Sequence, residues 1–424
     1  MARAYPPEVS ARLTSRWNDG GPSVVRLPAP RALHEIIETA YHASFLHEEA
    51  RSLRFRLLVA SPAALQACMP ASAQLQILEF DPSRRLSDDE LRRLAPAADF
   101  ERTLIGVHAE GEGAPFIWGL ASSGVQWLRR LQSGRHDGDE PLPDALVLHV
   151  LSPGQVLIAR GSTPLVELHA GRLRESGHDV FRSVWMPRLF APVRAEVMRG
   201  VDDALAAAAR PTVSDDVVGA VAQHLMRRAL GAIRRARHGG TLLSVPSDDV
   251  GDLVVPGVTL KYRFADHDTR RRFRHLILSI VATLQDEAAR HGIAHVDWAF
   301  YQQREDAELR RLEEAVVELA QLVASLAAVD GAVVMNRRFE LLGFGGEITV
   351  ADAVPQIRRA VDLEATQTTP EMVDGVGTRH RSVYRLCHAH PGTLGFVVSQ
   401  DGGITVVHAR DGQVICWDQQ TFGL

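Results

Sequence analysis

The chain has 424 residues, a formal net charge of −5 and 46% hydrophobic residues. The length and composition are typical of a globular protein of two or three domains. The slightly negative net charge argues against general electrostatic binding to nucleic acid. No stretch reaches the roughly 18 apolar residues of a membrane span, and the N-terminal segment lacks the apolar core of a secretory signal. Three scattered cysteines indicate a reducing compartment, so we expect a cytoplasmic protein.

The residues from Val24 to about Phe190 contain short apolar runs bounded by Gly, Pro, Ser or Asp, which is typical of strands and turns. These runs predict a β-rich α+β domain, which we place at residues 1–195. Helices are predicted at 31–53 and 122–134. The predicted strands lie within 54–61, 75–80, 103–110, 114–122, 145–161 and 164–171.

The composition then shifts to alanine, valine, arginine and acidic residues, which predicts helices on both sides of Pro211 with Ser214 as an N-cap. We place a helical linker at 196–214 and a second domain at 215–424. Further helices are predicted at 268–292 and 305–329. The second of these has an apolar face, typical of a core or dimer-packing helix, formed by Leu309, Leu312, Val316, Leu319, Val323 and Leu326.

The second domain combines these helices with strands, which predicts an α/β fold with a mixed β-sheet flanked by helices. One strand is expected after Gly239 and Gly240, and others are expected at 330–350 and 393–417. The stretch 349–375 is predicted to be a helix plus a loop. A last helix is expected in "GTRHRSVYRLCHAH", which begins at Gly377.

This last helix begins with basic residues, although acidic residues are favoured in a solvated first turn. A cationic helix start is stable around an anion, where backbone N–H groups and guanidinium groups share phosphate oxygens. The sequence therefore predicts a phosphate site. An alternative is a surface helix whose arginines pair with acids elsewhere, with a purely structural histidine. The residues concerned are Gly377, Thr378, Arg379, His380 and Arg381.

Two further segments carry polar groups next to predicted strands. Asp330 follows a helix and is followed by the small residues Gly331 and Ala332, so its carboxylate is suited to hold Mg²⁺ or Mn²⁺. Ser399 and Asp401 lie in "VVSQDGGITVV" between two strands. Both segments also have plain structural interpretations, because aspartate often caps a strand and Asp-Gly-Gly is common in hairpin turns.

Four segments of the C-terminal half follow one another in the order "RRARHGGTLLSVPSDD" (234–249), "DGAVVM" (330–335), "GTRHR" (377–381) and "VVSQDGGITVV" (397–407). Together they resemble the diadenylate cyclase domain of bacterial enzymes that condense two ATP molecules into cyclic di-AMP. The resemblance covers the C-terminal half only.

A rival histidine-metal hydrolase is disfavoured because the spacing of His388 and His390 suits a shared helical metal site poorly.

The resemblance implies that each protomer binds one ATP as substrate and that two protomers face each other in a homodimer or higher oligomer. It assigns Asp330 and Asp401 to the metal, and Asp330, Gly331 and Ala332 to catalysis. The nucleotide would be held by residues 377–381 and Ser399, with Leu342 lining an adenine pocket. The N-terminal half is similar to the sensory modules that precede such domains, and neither nucleic acid nor a membrane is expected as a partner.

One departure leaves an alternative open. The two consecutive glutamates usual in the family are replaced by Gln400 and Asp401, so one charge is lost and the remaining carboxylate is shorter. The alternative is a nucleotide sensor of the same fold that keeps the phosphate site but converts ATP to product only weakly or not at all.

Overall fold

The computed structural model describes residues 6–19, 25–49, 51–68, 75–100, 102–123, 144–161, 163–169, 171–175, 179–204, 210–246, 256–265, 267–304, 306–400 and 402–419. These residues form two compact units, the first ending at 175 and the second beginning at 179. Among them, no helix has the length and apolar character needed to cross a membrane.

The first unit contains an eight-stranded mixed sheet. The strands described in this unit are β1 (His47–Glu48), β2 (Arg51–Ser52), β3 (Phe55–Val59), β4 (Leu75–Arg85), β5 (Thr103–His108), β6 (Phe116–Ser123), β7 (Leu146–Ser152), β8 (Gln155–Arg160), β9 (Thr163–His169) and β10 (Arg172–Glu175). The sheet order is β10-β9-β8-β7-β3-β5-β6-β4, while β1 and β2 pair separately. Only the β3–β5 pairing in this sheet is parallel.

Helices cover part of this sheet. They are α1 (Pro6–Asp19), α2 (Pro30–Ala43), α3 (Pro62–Cys68) and α4 (Asp88–Leu94). Pro30 suits the first position of α2 because its missing N–H would have had no partner there. Leu33, Ile36, Ile37 and Ala40 recur at helical spacing and are buried, so α2 covers the core with one apolar face.

The structure confirms strands in each predicted apolar run of this unit. It corrects the predicted helix at 31–53, which ends at Ala43 and is followed by the pairing of His47–Glu48 with Arg51–Ser52. Helix α1 was not expected from the sequence. Of the predicted helix at 122–134, residues 122 and 123 end strand β6, and the remainder lies outside the described residues.

The second unit is α/β and contains a nine-stranded mixed sheet. The strands described in this unit are β11 (Thr212–Val213), β12 (Gly240–Val245), β13 (Val258–Arg263), β14 (His295–Val296), β15 (Ala332–Asn336), β16 (Leu341–Ile348), β17 (Gln356–Ala360), β18 (Thr368–Met372), β19 (Leu394–Val398), β20 (Ile404–Arg410) and β21 (Gln413–Gln419). The sheet order is β13-β16-β15-β12-β19-β20-β21-β17-β18, and β11 pairs with β14.

Helices pack on both faces of this sheet. They are α5 (Trp185–Leu189), α6 (Ala191–Ala204), α7 (Asp215–Ala236), α8 (His267–Arg270), α9 (Arg272–Arg290), α10 (Trp298–Gln302), α11 (Ala307–Leu326) and α12 (Thr378–Ala389). Successive strand residues alternate between two cores: Leu242 joins α7, α9 and α11 on one face, and Leu243 joins α12 on the other. The predicted apolar face of α11 and the Ser214 N-cap of α7 are confirmed.

The division between the units lies earlier than the predicted boundary near residue 195. Residues 179–190 belong to the second unit because their side chains complete its core. Trp185 stacks on Trp417 with ring centroids 4.6 Å apart, and the backbone N–H of Val180 donates to Gln419 at 2.7 Å. Residues 179–190, which were predicted to be part of the first domain, are therefore attached to the second sheet.

The stretch 349–375 also differs from the prediction. In place of a helix, it forms the antiparallel hairpin β17–β18. The Asp362 carboxylate accepts backbone N–H groups of Glu364, Thr366 and Gln367 and thereby fixes the connecting loop. Arg359 binds Glu371 across the hairpin. These contacts favour the hairpin over a helix.

Candidate functional site

Three loops of the second unit meet at one edge of its sheet. Strands β12 and β15 run parallel, with Thr241 opposite Ala332, while β19 runs antiparallel to β12, with Gly240 opposite Val398. The residues that precede β12, those that precede β15 and those that follow β19 therefore lie at the same end. This places His238, Asp330 and Ser399 together at the amino end of β12.

Helix α12 brings its basic start to the same end. The Arg379 Nη1 atom lies 3.4 Å from the backbone oxygen of His238, to which it donates. Gly377 is the N-cap of α12 and has no side chain to accept the first N–H groups, and the first turn contains no acidic residue. An anion bound here would meet both backbone donors and guanidinium groups. The structure thus brings Arg379 and Asp330, which are 49 positions apart in the sequence, to one edge.

The other predicted members of the phosphate site take different positions. Thr378 and Arg379 are exposed, and Arg381 donates from Nη2 to the Thr378 Oγ1 at 3.4 Å. His380 is half-buried, and its Nε2 lies 3.2 Å from the Thr405 Oγ1 on β20. The imidazole therefore anchors α12 to the sheet, which fits a structural histidine as well as a ligand-binding one.

The turn after β19 is tightly closed. The Ser399 hydroxyl and backbone N–H both donate to the backbone oxygen of Gly403, and the Gly402 N–H donates back to Ser399. Asp401, the predicted second metal ligand, lies outside the described residues. The Nε of Arg234, at the end of α7, is 3.4 Å from where a Cβ of Gly402 would be. The turn therefore lies beside Arg234, a further arginine at this end of the sheet.

The Asp-Gly-Ala segment has one exposed and one buried part. Asp330 is exposed, so its carboxylate is open to solvent and to ligands. Gly331 has φ +113°, and a Cβ there would lie 2.6 Å from the backbone carbon of Gly345. Close packing against β16 is thus one reason for glycine at this position. Ala332 is 1% exposed, so its side chain belongs to the core and not to an open site.

Leu342 is also a core residue. Its side chain is 7% exposed and belongs to the cluster that packs under α12, together with Leu260 and Ala332. The predicted adenine pocket lined by Leu342 is therefore not open in this structure. Phe344, two positions along β16, instead stacks on the exposed Tyr262 with ring centroids 4.7 Å apart.

The donor set at this edge suits a metal that is bound partly by its substrate. Within the described ranges, no three His, Cys, Asp or Glu side chains are grouped to hold an ion. Mg²⁺, however, is commonly held by one or two carboxylates together with phosphate oxygens and water. The exposed carboxylate of Asp330, at the same end of the sheet as the basic start of α12, fits such an arrangement.

The comparisons with known proteins address the other half of the chain. Residues 23–122 match a family described as "Probable sensor domain DACNV". This match covers less than half of the chain and lies within the first unit. No curated protein matches the sequence. The N-terminal region is therefore similar to a probable sensor domain, in agreement with the sensory module expected from the sequence.

A substitution at Gly239 tests whether the position of Arg379 matters for ligand binding at this edge. It has φ +66°, and a Cβ there would lie 2.7 Å from the Arg379 Nη1 and 2.9 Å from the backbone oxygen of Val398. We expect Gly239→Ala to displace Arg379 and to weaken ATP binding about tenfold, the loss of roughly one charge-assisted hydrogen bond. Isothermal titration with ATP and Mg²⁺ measures this change.

Gly292→Ala is the matched control, because Gly292 has φ +67° but a Cβ there meets nothing within 4 Å. Both variants carry the same left-handed backbone cost of about 1 kcal/mol. Only Gly239→Ala is expected to change the affinity for ATP. Equal affinities in the two variants would show that Arg379 does not contact the nucleotide.

Proposed function

We propose that the second unit is a diadenylate cyclase that converts two ATP molecules into cyclic di-AMP and two pyrophosphates. The observation that carries the proposal is the meeting of Asp330, the basic start of α12 and the turn after β19 at one end of β12. The resemblance of these three segments to the cyclase domain supports the same assignment, as does the nine-stranded mixed sheet flanked by helices.

In this reaction the protein has to align the two ATP molecules and to neutralise the charge of the triphosphate. The 3′-oxygen of one ATP attacks the α-phosphorus of the other, the bond to pyrophosphate breaks, and the 3′-hydroxyl proton leaves to water or a base. Arg379 and Arg381, with the N–H groups of the first turn of α12, would hold the triphosphate and offset its charge. A Mg²⁺ or Mn²⁺ ion, when bound, supplies further positive charge beside the phosphates.

Asp330 would hold that ion and keep the 3′-hydroxyl of the incoming nucleotide oriented. Asp401 is proposed as the second carboxylate. Ser399, whose backbone and hydroxyl are both tied to Gly403, would form the wall of the nucleotide site. Gln400 stays neutral, so the site carries one acidic group less than is usual in the family.

One such edge binds one ATP, yet the product joins two nucleotides. Two copies of the edge must therefore face each other, which predicts a homodimer or higher oligomer during turnover. The first unit, which matches a probable sensor domain over residues 23–122, would regulate this encounter.

A nucleotide sensor without turnover is the second candidate, favoured by Gln400 in place of an acidic residue. Incubation of the purified full-length chain with ATP and Mn²⁺ or Mg²⁺, followed by chromatography of the products, separates the two functions. Cyclic di-AMP that requires the metal supports the cyclase. Unchanged ATP together with saturable ATP binding supports the sensor, and the absence of both refutes the nucleotide site itself.

A further inference from the structure

A cavity of about 410 Å³ lies at the opposite end of the second sheet from the candidate nucleotide site. It is bounded by α7, by α9 and by the segment before α7, and its floor includes Ser244 and Asn336 at the carboxyl ends of β12 and β15. Those two strands are parallel, and ligands of open α/β sheets bind beyond the carboxyl ends of parallel strands. Along β12, about 3.3 Å per residue separates the two ends by roughly 16 Å.

The lining of this cavity is mainly apolar and aromatic. Phe181, Phe190, Phe273 and Trp298 are among the residues that contribute rings, and aliphatic side chains and methionines line much of the rest. The volume falls within the range of about 300–1,000 Å³ that is typical of small-molecule sites. A ligand with a hydrocarbon or aromatic body would be removed from water here, which provides the driving force for binding.

The charges around the cavity have an excess of arginine. Four arginines and two aspartates line it. Arg338 is paired with Glu196 at 2.8 Å, and the Nε of Arg194 lies 3.5 Å from Asp215. Arg337, in contrast, donates only to the backbone oxygens of Leu189 and Gly392. In the part of the chain that the structure describes, no carboxylate offsets its charge.

Arg337 also has an unused donor. Its Nε atom is buried and has no hydrogen-bond partner among the described residues. Burial lowers the pKa of this guanidinium because its charge is partly removed from water. A half-buried cation without a carboxylate partner favours an anionic ligand, and a carboxylate supplies the opposite charge and hydrogen-bond acceptors.

From this arrangement we propose that the cavity binds an amphiphilic monocarboxylate, with its apolar body among the aromatic rings and its carboxylate at Arg337. The ligand would occupy the carboxyl ends of β12 and β15, the strands whose amino ends carry Gly239 and Asp330. The site is thus an effector site separate from the nucleotide site, and its occupancy is measured without any turnover.

Decanoate and decan-1-ol, used below the concentration at which decanoate forms micelles, are suitable probes because they share the apolar chain and differ in the head group. We expect isothermal titration of the full-length chain to give saturable binding of one decanoate, at least about tenfold tighter than decan-1-ol. The fluorescence of Trp298, which lines the cavity, should report the same event.

Arg337→Gln is expected to remove the preference for decanoate while decan-1-ol binds as before, and Arg337→Lys should retain part of it. Arg188→Gln is the control, because Arg188 is exposed and does not line the cavity. Equal affinities of the two probes on the unaltered chain, or no binding of either, would overturn the proposal without any variant. An equal loss in Arg188→Gln would show unspecific charge attraction and would overturn it too.

Discussion

Replacing Asp330 by Asn is expected to lower cyclic di-AMP formation at least about 100-fold while ATP still binds. The substitution keeps the shape of the side chain and removes the charge that would hold the metal, and loss of one group that stabilises the transition state costs about 10²–10³ in rate. Asp330 is exposed, so its replacement leaves the core intact. Product formation at saturating ATP and Mn²⁺, measured beside ATP affinity, gives both quantities.

Asp352→Asn is the matched control, because Asp352 is equally exposed and has no role in the proposed site. It should form product at the unaltered rate. Synthesis retained in Asp330→Asn would show that the metal is held elsewhere. If the unaltered chain forms no product, titration of ATP with and without Mn²⁺ tests the same carboxylate, because only the metal-dependent part of the affinity should fall.

Replacing Glu313 by Gln is expected to lower the free energy of unfolding of the second unit by about 3 kcal/mol. Glu313 on α11 is 1% exposed, and its charge acts on Arg228 on α7, which is also buried. The pKa of Arg228 is lowered to about 10, mainly by burial and also by the nearby Arg235, while Glu313 opposes both effects. Arg228 stays charged at neutral pH, so losing its partner leaves an uncompensated buried charge, which costs about 3–5 kcal/mol.

Urea unfolding followed by tryptophan fluorescence measures this loss. Glu314→Gln is the control, since the neighbouring side chain is exposed and should change the stability by less than about 0.5 kcal/mol. The double variant Glu313→Leu with Arg228→Met removes both charges and should recover most of the stability. A Glu313→Gln protein as stable as the unaltered chain would mean that water or another group already solvates Arg228.

Local patterns predicted much of the fold. The strands of the first unit, helix α11 with its apolar face and the Ser214 N-cap follow from spacing and capping rules that involve only neighbouring residues. The β17–β18 hairpin was wrongly predicted as helical because its cause is not local. Arg359 is fixed by Glu371 and by Asp418 on another strand, and such partners cannot be read from a window of the sequence.

Only part of the candidate site could be predicted, because some of its contacts join residues that are distant in the sequence. Asp330 and Arg379 were chosen by residue type and resemblance, and sheet register then brought their segments to one edge. The roles of Gly239 and Arg234 were missed, because the first depends on a guanidinium some 140 positions away and the second on the turn after β19. The prediction that Leu342 lines an adenine pocket was wrong, because the sequence pattern of a strand does not show whether an apolar side chain faces a ligand or the core.

Strand β18, one of the two edge strands of the second sheet, affects the tendency of the protein to aggregate at high concentration. It is five residues long and contains Pro370, which has no N–H to offer to a further strand, and Thr369 and Pro370 are exposed. Such an edge resists the strand-on-strand stacking through which exposed sheets grow into fibres. One edge of the nine-stranded sheet is therefore protected at β18, and the sequence of this strand disfavours filament growth from that side.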